Sequence, residues 1–153
     1  MAPRAFSDVI ALKDHVGEEL ATSDWFEVGQ ARINTFADAT DDHQWIHVDQ
    51  ARAAHESPWK RTVAHGFLTL GLLAPLFASA LSIGNTSTSI NYGLNRVRFP
   101  SAVLSGDRVR ARFTLAAYEN LHPGAQLIWN VVVEREGASK PALIAEWIMR
   151  RLP

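Results

Sequence analysis

Apolar residues recur with one spacing in the first half of the chain and with another in the second. Ser7 followed by a periodic stretch from Val9 to Val16 predicts a short helix capped by Ser7 and ending at Gly17. Asp24 to Val28 alternates as a short strand, and Gln30 to Ala39 places Ile33, Phe36 and Ala37 along one side of a helix. Asp49 can cap a further short helix, Gln50 to His55, which Ser57-Pro58-Trp59 then breaks. From Phe67 to Ile83 the pattern differs: Phe67, Leu68, Leu70, Leu72, Leu73, Leu76, Phe77 and Leu81 surround the helix axis, so no polar face remains. Such a run predicts a buried central helix, with Pro75 bending it or removing a hydrogen bond near its middle. It falls short of the roughly 20 apolar residues of a membrane span and includes Thr69, Ser79 and Ser82, so no membrane crossing is expected.

Beyond that helix the period shortens. Ser87 to Phe99, Asp107 to Tyr118, Gln126 to Arg135 and Leu143 to Arg151 alternate or run apolar in the manner of strands. Turn residues at Pro100 to Gly106, Asn120 to Gly124 and Glu136 to Pro141 separate them by lengths suited to antiparallel neighbours. A long apolar helix followed by antiparallel strands is an α+β layout in which one face of the sheet wraps around the helix.

Composition narrows the function. With 153 residues, 47% of them hydrophobic and 20% charged, the chain is sized for a single domain over residues 1–153 that closes one core. A formal charge of -1 removes the electrostatic footprint of general nucleic-acid binding. The absence of cysteine rules out disulfides and thiolate metal sites and fits a reducing compartment. Met1 to Leu12 has no apolar core of signal-peptide length, so a cytoplasmic location is expected.

The candidate chemistry gathers between Phe36 and Leu68. Asp42 and His47 stand five residues apart, and Ala64-His65-Gly66-Phe67-Leu68 follows. In an extended loop that spacing lets both side chains face one water, whereas on a regular helix they would point apart. The Gly66 N–H, at the first turn of the apolar helix, is an unpaired helix-start donor and feels the positive end of the macrodipole. A residue without a β-carbon also permits close approach of a substrate oxygen. A base for water, an acid for carbon and a donor for an enolate oxygen are what hydration of a conjugated thioester requires. Taken alone, an Asp and a His at this spacing would read as a capping carboxylate and a surface imidazole. The His43 and His47 pair lacks the His-Glu-x-x-His arrangement, so no metal site is expected.

The stretch Asp42-His43-Gln44-Trp45-Ile46-His47-Val48-Asp49, together with Val63-Ala64-His65-Gly66, Asn91-Tyr92-Gly93, Arg98-Phe99-Pro100 and Gly106-Asp107, resembles the MaoC-like (R)-specific enoyl-CoA hydratases of the hotdog fold, in the branch that includes nodulation protein N. The resemblance covers most of the chain. The Asp and His of the family signature are kept, Gln44-Trp45 stands where the family has Asn-Pro, and Asp41 stands in place of the usual glycine. On these positions the resemblance implies that Asp42 orients and deprotonates water, that His47 shares the water and handles the second proton, and that addition is syn, giving an (R)-3-hydroxyacyl thioester. Gly66 is the oxyanion donor. Gln44, Trp45, His65, Asn91, Tyr92 and Arg98 are placed with the substrate-binding residues: Gln44 as an amide donor, Trp45 as a pocket wall, Asn91 and Tyr92 along an acyl tunnel, and one of Arg96 and Arg98, which share a strand face, on a phosphate of coenzyme A. The helix serine that assists in one branch falls at Ala74, so no helix hydroxyl is assigned.

The resemblance implies an acyl-CoA thioester substrate, no metal or redox cofactor beyond coenzyme A within the substrate, and a homodimer with its active sites at the interface. Two rival readings share the fold: a hotdog thioesterase that directs water at the thioester carbonyl, and a non-catalytic acyl-thioester binding subunit whose altered motif has lost activity.

Overall fold

The computed structural model describes residues 2–153, with Met1 outside them. Strand β1 (Arg4–Phe6) leads through a 3-10 turn (Ile10–His15) to the short strands β2 (Glu19–Thr22) and β3 (Phe26–Val28). Five helical segments follow: α1 (Gln30–Thr40), α2 (Trp45–Val48), α3 (Gln50–Glu56), α4 (Gly66–Gly71) and α5 (Leu73–Ala80). Strand β4 (Leu81–Ile83) then precedes the long strands β5 (Thr88–Arg98), β6 (Asp107–Asn120), β7 (Ala125–Arg135) and β8 (Leu143–Leu152).

Alternation in the long strands has the physical cause that the sequence suggests. Val109, Ala111, Phe113 and Leu115 of β6 point inward, as do Leu127, Trp129, Val131 and Val133 of β7 and Leu143, Ala145, Trp147 and Met149 of β8, while the intervening residues are more exposed. Helix α5 lies on this inner face. Phe77 meets the rings of Phe113, Trp129 and Trp147 edge-on at centroid separations of 5.2, 5.2 and 5.7 Å.

The strand order is β2-β6-β7-β8-β5, with β3 also paired to β6. The turns after β6 and β7 therefore join antiparallel neighbours, as expected. The Pro100 to Gly106 segment does not: β5 pairs with β8, at the far side of the sheet from β6. Loop length permits adjacency but cannot select the partner, and here β5 runs antiparallel along β8 from Thr88 opposite Leu152 to Arg98 opposite Ile144. A separate parallel pair, β1 with β4, has no counterpart in the sequence reading.

Two helix expectations change as well. Asp8, not Ser7, caps the first turn, since its Oδ1 accepts from the Ala11 N–H at 2.9 Å. The central helix is not continuous to Ile83. It breaks at Leu72, ψ -9°, and ends at Ala80. Pro75 has no N–H for the Gly71 carbonyl and its ring crowds that oxygen, so the break falls one turn before the proline. Nor is the helix enclosed on all sides: Phe67, Gly71, Ala74, Pro75 and Ala78 are exposed along one stripe, Phe67 by 74%. Among the described residues no helix is long and apolar enough to cross a membrane.

Candidate active site

Helix α1 ends where Asp41 takes the left-handed conformation, φ 55° and ψ 23°. Glycine is favoured in that region, and Asp tolerates it better than most side chains, which gives a physical reason for an Asp where the resembling family carries glycine. The turn releases Asp42 to Gln44 from helical geometry, and α2 begins at Trp45. The spacing between Asp42 and His47 is thus part loop and part helix, rather than the extended loop anticipated.

Three layers of hydrogen bonding hold α2. The Gln30 amide donates to the His47 carbonyl at 2.7 Å and accepts from the Thr62 hydroxyl. The Val63 N–H donates to the Ile46 carbonyl at 3.0 Å, and Ala64 N–H donates to Val103 O at 2.8 Å. This ties the segment before α4 to both α2 and the loop that precedes β6.

The His47 ring is buried, and its Nδ1 lies 2.6 Å from the Val63 carbonyl oxygen. A carbonyl only accepts, so the neutral ring carries its proton on Nδ1 and leaves Nε2 as a free base. Burial lowers the His47 pKa from the ordinary 6.5, opposed by the Val63 hydrogen bond and by Asp42 and reinforced by His65. The His65 ring stacks on His47 with centroids 3.7 Å apart and planes at 21°. Its Nε2 donates to the Asp42 backbone carbonyl at 2.9 Å and lies 4.0 Å from Asp42 Oδ2. The Asp42 side chain is 54% exposed in the single chain and lies 3.4 Å, at one carboxylate oxygen, from the Gln44 N–H.

One ligand-capable atom from each of Asp42, His47 and His65 falls within 4.8 Å of the others. That spacing suits a shared water. It suits a cation poorly, because imidazole lone pairs lie in the ring plane and two rings stacked nearly parallel direct them along parallel lines. His43 turns away from the cluster to Asp38, Nε2 to Oδ1 2.8 Å, and that hydrogen bond raises its pKa.

Gly66 opens α4, and no hydrogen bond engages its N–H among the described residues. A β-carbon at Gly66 would stand 3.3 Å from the Phe99 ring. Gly66, Ala64, Thr69, Phe99 and Val103 line a cleft of about 570 Å³. Thr69 is buried one turn into α4 on this side, whereas Ala74 is exposed and lines other cavities with Asn91 and Trp147. Thr69 thus shares the cleft of Gly66, while Ala74, the position counted for a helix hydroxyl, lies on another side of the helix.

The remaining sequence candidates are scattered. Gln44 is exposed at the start of α2, and Trp45 is half-buried beneath Arg52, whose guanidinium carbon sits 4.3 Å from the ring centroid. Asn91 and Tyr92 lie on β5; Asn91 lines cavities whose walls contain none of Asp42, His47 and His65, and Arg150 covers Tyr92 at 3.5 Å. Arg98 is exposed and donates to its neighbour's carbonyl, Val97 O, at 2.7 Å. The Gln44 backbone carbonyl accepts from the His47 N–H at 3.0 Å, whereas among the described residues no hydrogen bond or ring contact joins Asn91, Tyr92 or Arg98 to the histidine pair.

A family model described as "MaoC like domain" matches residues 12–129. The chain belongs to the MaoC-like dehydratase family. This MaoC-like chain is 47% identical over 148 residues to 3-hydroxyacyl-thioester dehydratase Z of Mycobacterium tuberculosis (strain ATCC 25618 / H37Rv), covering 96% of this chain and 97% of that protein. It is 49% identical over 146 residues to nodulation protein N of Rhizobium meliloti (strain 1021), covering 94% and 89%. Among solved structures, the (R)-hydratase from A. caviae involved in PHA biosynthesis matches with a TM-score of 0.67 and 26% identity, over 90% of this chain and 96% of that one. The hotdog fold and the branch expected from the motifs are thereby established, and some solved neighbours of this fold are complexes of two named components.

Proposed function

We propose that this MaoC-like protein is an (R)-specific enoyl-CoA hydratase that adds water syn across a trans-2-enoyl thioester, and that it catalyses the reverse dehydration by the same steps. The observation that carries this reading is the convergence of the Asp42 carboxylate with the imidazoles of His47 and His65, the residue that precedes the unpaired helix-start N–H of Gly66. In the forward direction water sits between Asp42 and His47 Nε2. Asp42 takes a proton as the water oxygen bonds to C3, the electron pair moves through C2 to the thioester oxygen, and Gly66 N–H stabilises that enolate. Collapse of the enolate takes onto C2 the proton that water lost, passed from the Asp42 carboxyl by way of the bare His47 Nε2, so that His47 handles the second transfer and both groups return to their starting states. The scheme balances without a metal or a redox cofactor; coenzyme A enters only as part of the substrate.

The partner that fits the exposed apolar surface is a second copy of the chain. Edge strand β5 has a free outer side, and Phe67, Leu70, Gly71, Ala74, Leu94 and Trp147 line an adjoining cavity. Pairing removes an open sheet edge and covers the bare stripe of the central helix. Asn91, Tyr92 and Arg98 then act at the interface, where one subunit's strand borders the other's site. A cytoplasmic location suits a thioester substrate pool.

The deciding test follows loss of conjugated enoyl absorbance with crotonyl-CoA and a medium-chain enoyl-CoA, with Asp42→Asn alongside and chiral analysis of product. Formation of the (R)-alcohol by wild type and its loss in Asp42→Asn supports the reading. Release of free thiol from saturated acyl-CoA would instead identify a thioesterase, and binding without turnover a non-catalytic subunit.

A further inference from the structure

His65 is the most enclosed titratable side chain of the site, at 3% exposure, yet the hydration scheme gives it no proton to carry. Its ring is fixed by three contacts: the Phe36 ring at 4.8 Å, the His47 ring at 3.7 Å, and the Asp42 carbonyl at 2.9 Å from Nε2. Because that carbonyl only accepts, the neutral ring is protonated on Nε2 and Nδ1 is bare. Nδ1 is buried and has no hydrogen-bond partner among the described residues. An unsatisfied buried polar atom destabilises the fold, so a residue serving only to fill this space would be better apolar.

We propose that His65 is a positioning residue for the hydration reaction: its Nε2–H fixes the backbone of Asp42 while its ring face fixes the plane of His47, holding carboxylate and base toward one water. One side chain thus connects two residues on different elements, the loop after α1 and helix α2, from a third position at the head of α4. The same enclosure removes His65 from direct substrate contact in the single chain, where Nε2 is committed to protein and the ring is covered. Asp42 and His65 are the titratable groups facing His47; Asp38 and Asp41 act on His43 instead. A neighbouring imidazole also disfavours protonation of His47, an effect smaller than burial.

The two contacts are separable. His65→Phe keeps a stacked ring and removes the donor; His65→Gln keeps an N–H donor and removes the ring. The proposal rests on the hydratase reading for its kinetic arm only, so nitrogen-15 NMR of the His47 ring is recorded on the same proteins. With thermal melts showing folded protein, His65→Phe is expected to lower kcat at least about tenfold with KM within about threefold, since misplacement costs the transition state more than binding. His65→Gln is expected to recover part of kcat and to shift the His47 titration midpoint upward. Wild-type kcat in His65→Phe, or a His47 titration unchanged in His65→Gln, overturns the proposal. If wild type hydrates neither enoyl-CoA, the functional reading fails and the NMR arm alone decides the role of His65: more than one His47 ring environment in His65→Gln supports it, and a single wild-type-like set of ring signals sinks it.

Discussion

The imidazoles of His47 and His65 stack 3.7 Å apart, and each points one nitrogen at a backbone carbonyl, Val63 for His47 and Asp42 for His65. Two backbone acceptors therefore dictate the tautomer of each neutral ring, and burial, reinforced by the neighbouring imidazole, disfavours a charge on His47. A neutral His47 with a free Nε2 is a base ready for use.

That arrangement has a pH signature. The folded His47 pKa lies below the ordinary 6.5, chiefly through burial. As pH falls, the unfolded chain binds this proton first, so the contribution of His47 to stability is intact above 6.5 and is lost as pH drops through the folded value. The acid limb of kcat/KM is accordingly expected below pH 6.5, and His47→Gln should flatten the pH dependence of unfolding measured by urea titration in that window.

Removing either proton-transfer group should separate chemistry from folding. Asp42→Asn and His47→Gln are each expected to lower turnover of an enoyl-CoA by about two orders of magnitude or more. Asp42→Asn should leave the melting temperature close to wild type because the side chain is half exposed. Wild-type-like rates in either variant would remove it from the mechanism.

Gly66 offers a test of close packing at the proposed oxyanion position. A β-carbon there would lie 3.3 Å from three atoms of the Phe99 ring, so the ring must yield by a few tenths of an ångström. Gly66→Val is expected to abolish most activity by crowding both Phe99 and the thioester oxygen. Gly66→Ala combined with Phe99→Leu should retain more activity than Gly66→Ala alone if the ring clash is the cause.

Oligomeric state can be read at Phe67, whose ring is 74% exposed on an otherwise apolar helix stripe. Phe67→Glu places a charge where a second copy is proposed to pack and should shift the mass measured by light scattering from dimer toward monomer. An unchanged dimer would put the interface elsewhere.

Phe77 anchors the helix to the sheet through Phe113, Trp129 and Trp147. Phe77→Ala should destabilise the protein by about 3–5 kcal/mol in chemical denaturation, the usual range for emptying an aromatic core site. A loss under about 1 kcal/mol would mean that the rings collapse into the space.

What the sequence determined by itself was local and periodic. Alternation in β6, β7 and β8 follows from the two-residue pleat, Asp49 caps α3 through its own side chain onto Arg52 N–H, and Asp42, His47 and Gly66 stand out as candidates by residue type and motif spacing. The tertiary structure alone decided which strand β5 would join, since the length of the Pro100 to Gly106 turn allowed β6 as a neighbour and only the long-range ladder with β8 sets the partner. It alone placed the break in the central helix ahead of Pro75 and left one stripe of an all-apolar helix uncovered. His65 shows the same division most sharply. Beside Gly66 it reads as a residue that meets substrate, whereas the fold turns its ring inward onto His47 and its N–H onto Asp42, contacts between segments remote in the chain that no local pattern encodes.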